Sequence, residues 1–300
     1  MDIITTSGLT KTYGRATVVA DLDLRVPEGC VYGFLGPNGS GKSTTMKMLL
    51  SLIQPTAGTV TVFGEEMNRS SRRRLLAGIG SLIEAPSVYG HLTGAENLRV
   101  VQKLLGLTDA QVTKALATVR LEKQKDKVVR NYSLGMKQRL GIAMALARDP
   151  RLLILDEPTN GLDPAGIEEI RELLISLAGS GITVMVSSHL LAEMEKMAQV
   201  LGIIDHGRLI FQGTRAELFA RSLPDLLIET PDAVRASSVL EPAGARRTHD
   251  GVRLTGIDQP GTAAAVATLV RNDIAVHAVR REQQSLEDIF ISLTGRGGDL

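Results

Sequence analysis

Eight residues, Gly36-Pro37-Asn38-Gly39-Ser40-Gly41-Lys42-Ser43, constrain the fold of this chain more than any other stretch. They follow a short apolar run, Val31 to Leu35, and precede a segment with Met46, Leu49, Leu50 and Ile53 on one helical face, expected to stop near Pro55. Strand, glycine-rich turn and helix in that order satisfy the pattern G-x-x-x-x-G-K-[ST] at every position. The glycines let backbone amides turn inward around an anion. A helix opening at about Gly41 points the positive end of its dipole at the same place. Lys42 can set an ammonium on the outer phosphates of a nucleotide, and Ser43 can offer a hydroxyl to Mg²⁺. Gly36, Asn38, Gly39, Ser40, Gly41, Lys42, Ser43 and Thr44 are therefore the candidate phosphate-binding residues. A chance glycine-rich turn would lack the flanking strand and helix.

A second motif supplies carboxylates. Leu152-Leu153-Ile154-Leu155 is a continuous apolar run, as in a parallel strand buried on both faces, and Asp156-Glu157 follow it. Asp156 can hold Mg²⁺ directly or through water, and Glu157 is placed to orient and activate an attacking water. Without the upstream loop the pair would read as two capping carboxylates at a strand end. Asp163-Pro164 then opens a helix expected to end near Gly179, and Thr183–Val186, Val200–Ile204 and Leu209–Phe211 read as strands. Strands alternating with helices predict an α/β architecture.

The remaining stretches fill in the organisation. In Asp21 to Val26 polar and apolar residues alternate, as in one half-buried strand; Thr59–Phe63 and Ile79–Ile83 are further strand candidates. Arg69 to Arg74 reads as a solvated loop or helix start rather than a phosphate or lipid patch. Thr93-Gly94-Ala95-Glu96 and Thr108-Asp109-Ala110-Gln111 match the capping box, so Thr93 to Tyr132 is expected to be a helical insert. Beyond about Leu218 a strand (Leu226–Glu229), a helix (Ala233–Leu240), a hairpin turn (His249-Asp250-Gly251), a helix (Thr262–Val270), a strand (Ile274–Val279) and a helix (Ser285–Leu293) imply a small α+β accessory domain. The boundaries read as residues 1–220 for the main domain, with its helical part at about 90–148, and 221–300 for the second.

Composition narrows the class by exclusion. With 34 basic and 33 acidic residues the formal charge is +1, so no overall field favours nucleic acid or anionic lipid, and no nucleic-acid partner is expected. The single cysteine, Cys30, permits neither a disulfide framework nor a cysteine-based metal site. The first residues lack a basic start with an apolar run, so no signal peptide is expected, and no apolar stretch nears the roughly 20 residues that span a bilayer. Any membrane part must come from another chain.

A third motif identifies the family. Tyr132-Ser133-Leu134-Gly135-Met136, between the helical insert and the apolar helix Ile142 to Ala147, resembles the signature of the ATP-binding-cassette (ABC) ATPases, usually leucine-serine-glycine-glycine-glutamine. Tyr132 replaces the leucine, Leu134 a glycine and Met136 the glutamine; Ser133 and Gly135 remain. A serine hydroxyl and a bare glycine backbone at a helix start can donate to a γ-phosphate, although a plain helix cap reads the same. The order of the other elements is similar too. Tyr13 stands where an aromatic would stack on adenine, or simply packs; Asn160-Gly161-Leu162-Asp163 matches the family's dimer-contact loop; His189 matches its switch histidine.

The resemblance covers about residues 2 to 220. It implies a P-loop ABC ATPase core with a mixed sheet, an antiparallel β subdomain and a helical subdomain, binding ATP and Mg²⁺. The implied metal ligands are Ser43, Asp156 and Glu84, and the implied catalytic residues Glu157 and His189. Where the family usually has a glutamine, this chain has Ile83-Glu84-Ala85-Pro86, a variant similar to that of bacitracin- and lantibiotic-type exporter ATPases. Tyr89-Gly90-His91-Leu92-Thr93 and Gln284-Ser285-Leu286-Glu287-Asp288 also resemble that subgroup. Glu84 would then bind Mg²⁺ or pair with a basic residue of a membrane partner; an exposed loop glutamate is the plain alternative. The implied partners are a second copy, head to tail, and separate integral membrane permease subunits. Location would be cytoplasmic, peripheral on the inner face of the cell membrane. The competing readings are a soluble ABC ATPase acting on ribosomes or DNA, a non-hydrolysing regulator, and a GTPase, which would carry an Asn-Lys-x-Asp motif not found here.

Overall fold

The computed structural model describes residues 1–188 and 190–295. His189 and Arg296 to Leu300 lie outside the described residues. The chain divides between Arg215 and Ala216 into two compact units, a little before the 220/221 boundary read from the sequence.

The first unit begins with β1 (Asp2–Tyr13), β2 (Ala16–Leu22) and β3 (Arg25–Pro27). It continues through β4 (Val31–Leu35), α1 (Lys42–Leu49), β5 (Ala57–Val62), β6 (Glu65–Glu66), α2 (Arg72–Leu76) and β7 (Ile79–Leu82). The helical stretch is α3 (Gly94–Leu105), α4 (Asp109–Thr118) and α5 (Leu134–Leu146). Then come β8 (Leu152–Leu155), α6 (Pro164–Gly179), β9 (Thr183–Ser188), α7 (Leu191–Met197), β10 (Val200–Asp205) and β11 (Arg208–Thr214).

Two sheets organise these elements. In the first, β2-β1-β5-β6 is antiparallel, with β3 also paired to β1. In the second the order is β11-β10-β4-β9-β8-β7, parallel except for β11. Strands β8 and β4 are buried at every position, which explains their unbroken apolar runs: a sheet covered on both faces has no wet side to mark with polar residues. The main core joins the sheets through Ile4, Leu22, Phe34, Met46, Leu49, Ile154 and Met185. Truncating one such fully buried leucine or isoleucine to alanine costs about 2–5 kcal/mol.

The sequence reading needs three local corrections. Asp21 to Val26 alternates in burial as expected, but Asp23 and Leu24 belong to neither strand, so the stretch is the end of β2 followed by β3 and not one strand. Helix α1 ends at Leu49, not near Pro55, because Ser51 adopts φ 54°. In the second unit the last strand is Ala278–Glu282, not Ile274–Val279; Ile274 is a buried core residue in an irregular stretch. Periodicity detects buried positions, and Ile274 is buried without being a strand.

Both capping boxes form. The Thr93 hydroxyl accepts from the Glu96 N–H while the Glu96 carboxylate accepts from the Thr93 N–H, and Thr108 and Gln111 do the same. Two otherwise orphaned amides are satisfied at the start of each helix.

The second unit, after α8 (Arg215–Arg221), runs β12 (Asp225–Glu229), α9 (Ala233–Val239), β13 (Arg246–Arg247), β14 (Gly251–Leu254), α10 (Gln259–Arg271), β15 (Ala278–Glu282) and α11 (Leu286–Thr294). From β12 to β15 the order is β-α-β-β-α-β, and the sheet order β13-β14-β12-β15 is antiparallel throughout. That is the split β-α-β arrangement of ferredoxin-like domains. Leu226, Ile228, Val252 and Leu254 pack against Ala236, Ala265 and Leu269 of the two helices. Asp225 is buried beside this core. Burial pushes its carboxyl up, but bonds from Gln284, Arg253 and the Gly256 N–H outweigh that and hold it low.

Candidate functional site

Three neighbouring parallel strands end side by side. β4 ends at Leu35, opposite Ser188 of β9, while Leu155 of β8 lies opposite Val186 of the same β9. The carboxyl ends of strands in an open α/β sheet are where such folds bind ligands. Beyond Leu35 the chain makes the glycine-rich loop and enters α1, capped by Gly41 at φ 106°. A side chain at Gly41 would meet the Val18 carbonyl oxygen at 2.8 Å, so glycine is required by conformation and by space.

A cleft of about 460 Å³ opens on this loop, lined by Val18, Asn38, Gly39, Ser40, Gly41, Lys42, Ser43, Thr44, Glu157 and Asn160. Seven of these are the loop residues read as phosphate-binding, and Glu157 joins them from the end of β8. The Lys42 ammonium donates to the carbonyls of Gly36 at 2.6 Å and Pro37 at 3.2 Å. Burial lowers its pKa, while the charges of Glu157 and Asp156 pull it back up. The Ser40 hydroxyl is buried with no hydrogen-bond partner among the described residues. An orphaned hydroxyl and a buried ammonium resting on carbonyls are the features a phosphate group would satisfy.

The carboxylates are organised by a residue that the motifs did not flag. Ser187, fully buried at the end of β9, donates its hydroxyl to Asp156 Oδ1 at 2.6 Å and accepts from the Glu157 N–H at 3.0 Å. The Asp156 N–H in turn donates to the Leu82 carbonyl at 2.8 Å. Asp156 is 4% exposed, and Glu157 stands at φ 51°, a backbone state costing of order 1–3 kcal/mol for a residue with a side chain. The available signal was two serines closing the apolar run Thr183 to Val186, where polar residues at a buried strand end need partners.

The other candidates lie apart from the cleft lining. Ser133 caps α5, its hydroxyl accepting from the Met136 N–H at 3.2 Å, and Gly135 sits in the first turn. Tyr13, 51% exposed, carries the Lys11 ammonium 4.9 Å from its ring centroid. Glu84 accepts from Lys47 Nζ at 2.6 Å. Hydrogen bonding to Glu84 raises the Lys47 ammonium, and the same bond lowers the Glu84 carboxyl. Among the described residues no three histidine, cysteine, aspartate or glutamate side chains converge as a metal cluster. The switch reading of His189 falls outside the described residues.

Comparison with known proteins decides the family. The ABC transporter family model matches residues 19–160. The bacitracin transport ATP-binding protein BcrA of Enterococcus faecalis is 42% identical over 302 residues, covering 99% of this chain and 97% of the relative. This chain belongs to the ATP-binding proteins of ABC transporters. The lantibiotic transport ATP-binding protein SrtF of Streptococcus pyogenes is 44% identical over 204 residues, covering 68% of this chain and 87% of the relative. Among solved structures, the dimeric post-hydrolysis state of the ATP-binding cassette MJ0796, bound to ADP and Pi, matches with TM-score 0.63 and 25% identity, covering 70% of this chain and 98% of that one. The ABC ATPase resemblance and the bacitracin- and lantibiotic-type kinship are thus shown, and the ATP-binding cassette is an α/β ABC fold. No helix among the described residues is long and apolar enough to cross a membrane.

Proposed function

We propose that this chain hydrolyses ATP to drive separate membrane subunits in the export of an antibiotic, peptide or similar amphipathic compound. The observation that carries the reading is the convergence of Glu157 and loop residues Asn38 to Thr44 on one cleft, with the neighbouring Asp156 buried. Loop amides, Lys42 and the Ser40 hydroxyl bind the phosphates. The Ser43 hydroxyl and the Asp156 carboxylate form an oxygen donor set suited to a hard cation, and would hold Mg²⁺. When bound, Mg²⁺ neutralises charge developing on the phosphates. Glu157 orients the attacking water and takes its proton. Its backbone is fixed by Ser187, which keeps the carboxylate aimed into the cleft.

Ser133 and Gly135 do not line this cleft, so a second copy in head-to-tail arrangement supplies them to the γ-phosphate. Tyr13 then stacks on the adenine, His189 contacts the γ-phosphate, and the chain works at the inner face of the membrane. The names of BcrA and SrtF support a bacitracin- or lantibiotic-like cargo.

The test pairs two measurements. Glu157→Gln should bind ATP, run as a dimer on size exclusion with ATP, and lose about 10²–10⁴ in turnover. Turnover like the wild type would remove Glu157 as the base. The chain should also co-purify with an integral membrane protein; sedimentation with ribosomes instead would favour the soluble class.

A further inference from the structure

Lys47 and Glu84 join two motifs that the proposed reaction leaves unconnected. Lys47 lies on α1 four residues after Ser43, so the two side chains share one helix face, a turn apart. Glu84 follows β7, the neighbour of β8 in the parallel sheet, so Glu84 and Asp156 emerge at the same ends of adjacent strands. Lys47 answers to both: its ammonium donates to Glu84 Oε1 at 2.6 Å, and the Asp156 charge also acts on it. Glu84 is held at φ 66°, in the left-handed region that non-glycine residues seldom occupy. Lys47 thus holds the Glu84 carboxylate one turn along α1 from Ser43, outside the residues that line the cleft.

We propose that Lys47 is a positioning residue that latches Glu84 until a divalent cation arrives with the nucleotide, and that this cation and Lys47 compete for the one carboxylate. The inference rests on the reading that Ser43 and Asp156 hold Mg²⁺. Both latch partners are solvent-accessible, with side chains 33% and 69% exposed, so screening keeps the ion pair weak and exchangeable. A hard doubly charged cation takes carboxylate oxygens as ligands, so it and the ammonium draw on the same atoms. Release would free the segment after Leu82 without disturbing the β7–β8 pairing.

The experiment titrates Mg²⁺ into the purified chain with a fluorescent ATP analogue and reads the half-saturating Mg²⁺ concentration. Lys47→Met should lower it about three- to fivefold, within reach of an exposed pair. Lys47→Arg should match the wild type. In a Glu84→Gln background Lys47→Met should have no effect, and analogue binding in EDTA should be equal in all variants. An unchanged Mg²⁺ midpoint in Lys47→Met overturns the latch. So does a shift that persists in Glu84→Gln, because Lys47 would then act by its own charge. Lys47→Gln carries the same expectation should Lys47→Met fold poorly. A wild type whose analogue binding ignores Mg²⁺ would overturn the functional reading and the latch together; Mg²⁺-dependent wild-type binding without a Lys47 effect overturns the latch alone.

Discussion

The phosphate loop and the Ser133–Gly135 segment are both helix N-termini with essential-looking glycines, yet they are built for different reasons. At Gly41 the chain itself demands glycine, through φ 106° and a carbonyl oxygen 2.8 Å from any added Cβ. At Gly135 it does not: the conformation is ordinary helix, and an added Cβ would meet Leu162 at 3.9 Å and the Ser133 hydroxyl at 4.0 Å, both comfortable contacts. The first glycine is explained by folding one chain. The second is required neither by backbone conformation nor by space within this chain, which fits the proposed approach of a second copy to its backbone. The phosphate loop lines the cleft of its own chain; under the proposed function, the signature segment is the half offered to another copy.

The contrast can be broken in order of effect. The largest change is the loss of about 10²–10⁴ in turnover expected of Glu157→Gln, which marks the phosphate-loop side as the seat of chemistry. Next, Gly135→Ala should leave the melting temperature unchanged or raise it, since alanine favours a helix over glycine by about 1 kcal/mol. Its ATP turnover should nevertheless fall about tenfold or more, as when a transition-state donor is obstructed. Gly41→Ala should do the reverse, lowering stability by about 1–3 kcal/mol and weakening nucleotide binding by the isolated chain. Equal effects of the two substitutions on melting would erase the distinction.

Ser187→Ala sharpens it further. It leaves Asp156 and the Glu157 N–H short of a buried partner, a cost of about 1–3 kcal/mol in chemical denaturation, with slower hydrolysis but intact nucleotide binding. The smallest effect belongs to Thr93→Ala, which removes one capping box remote from the cleft. It should cost about 1 kcal/mol and leave the turnover per folded molecule unaltered. A turnover change there would mean that the start of α3 participates in coupling.

Much of this was legible along the chain because the relevant constraints are local. The phosphate loop, the apolar run before Asp156 and both capping boxes announce themselves by spacing, and the structure forms each as read. What escaped was non-local. Ser187 is thirty-one residues from Asp156, and only the pairing of β8 with β9 makes them neighbours. Lys47 is thirty-seven residues from Glu84, and nothing in either motif names the other. The last strand was misplaced because Ile274 is buried, as a strand residue would be, while its backbone is irregular.

The sequence alone determined which chemical groups the chain offers and in what order. Glycines, a lysine, a hydroxyl and two carboxylates at fixed spacings have few other uses, and short-range backbone geometry suffices to place each one. Tertiary structure decided which of those groups complete one another. Strand order set Ser187 against Asp156 and Glu157, helix α1 carried Lys47 to Glu84, and the space around Gly135 leaves room for a side chain there. Such pairings depend on the order of strands in the sheet, which no single stretch of sequence encodes.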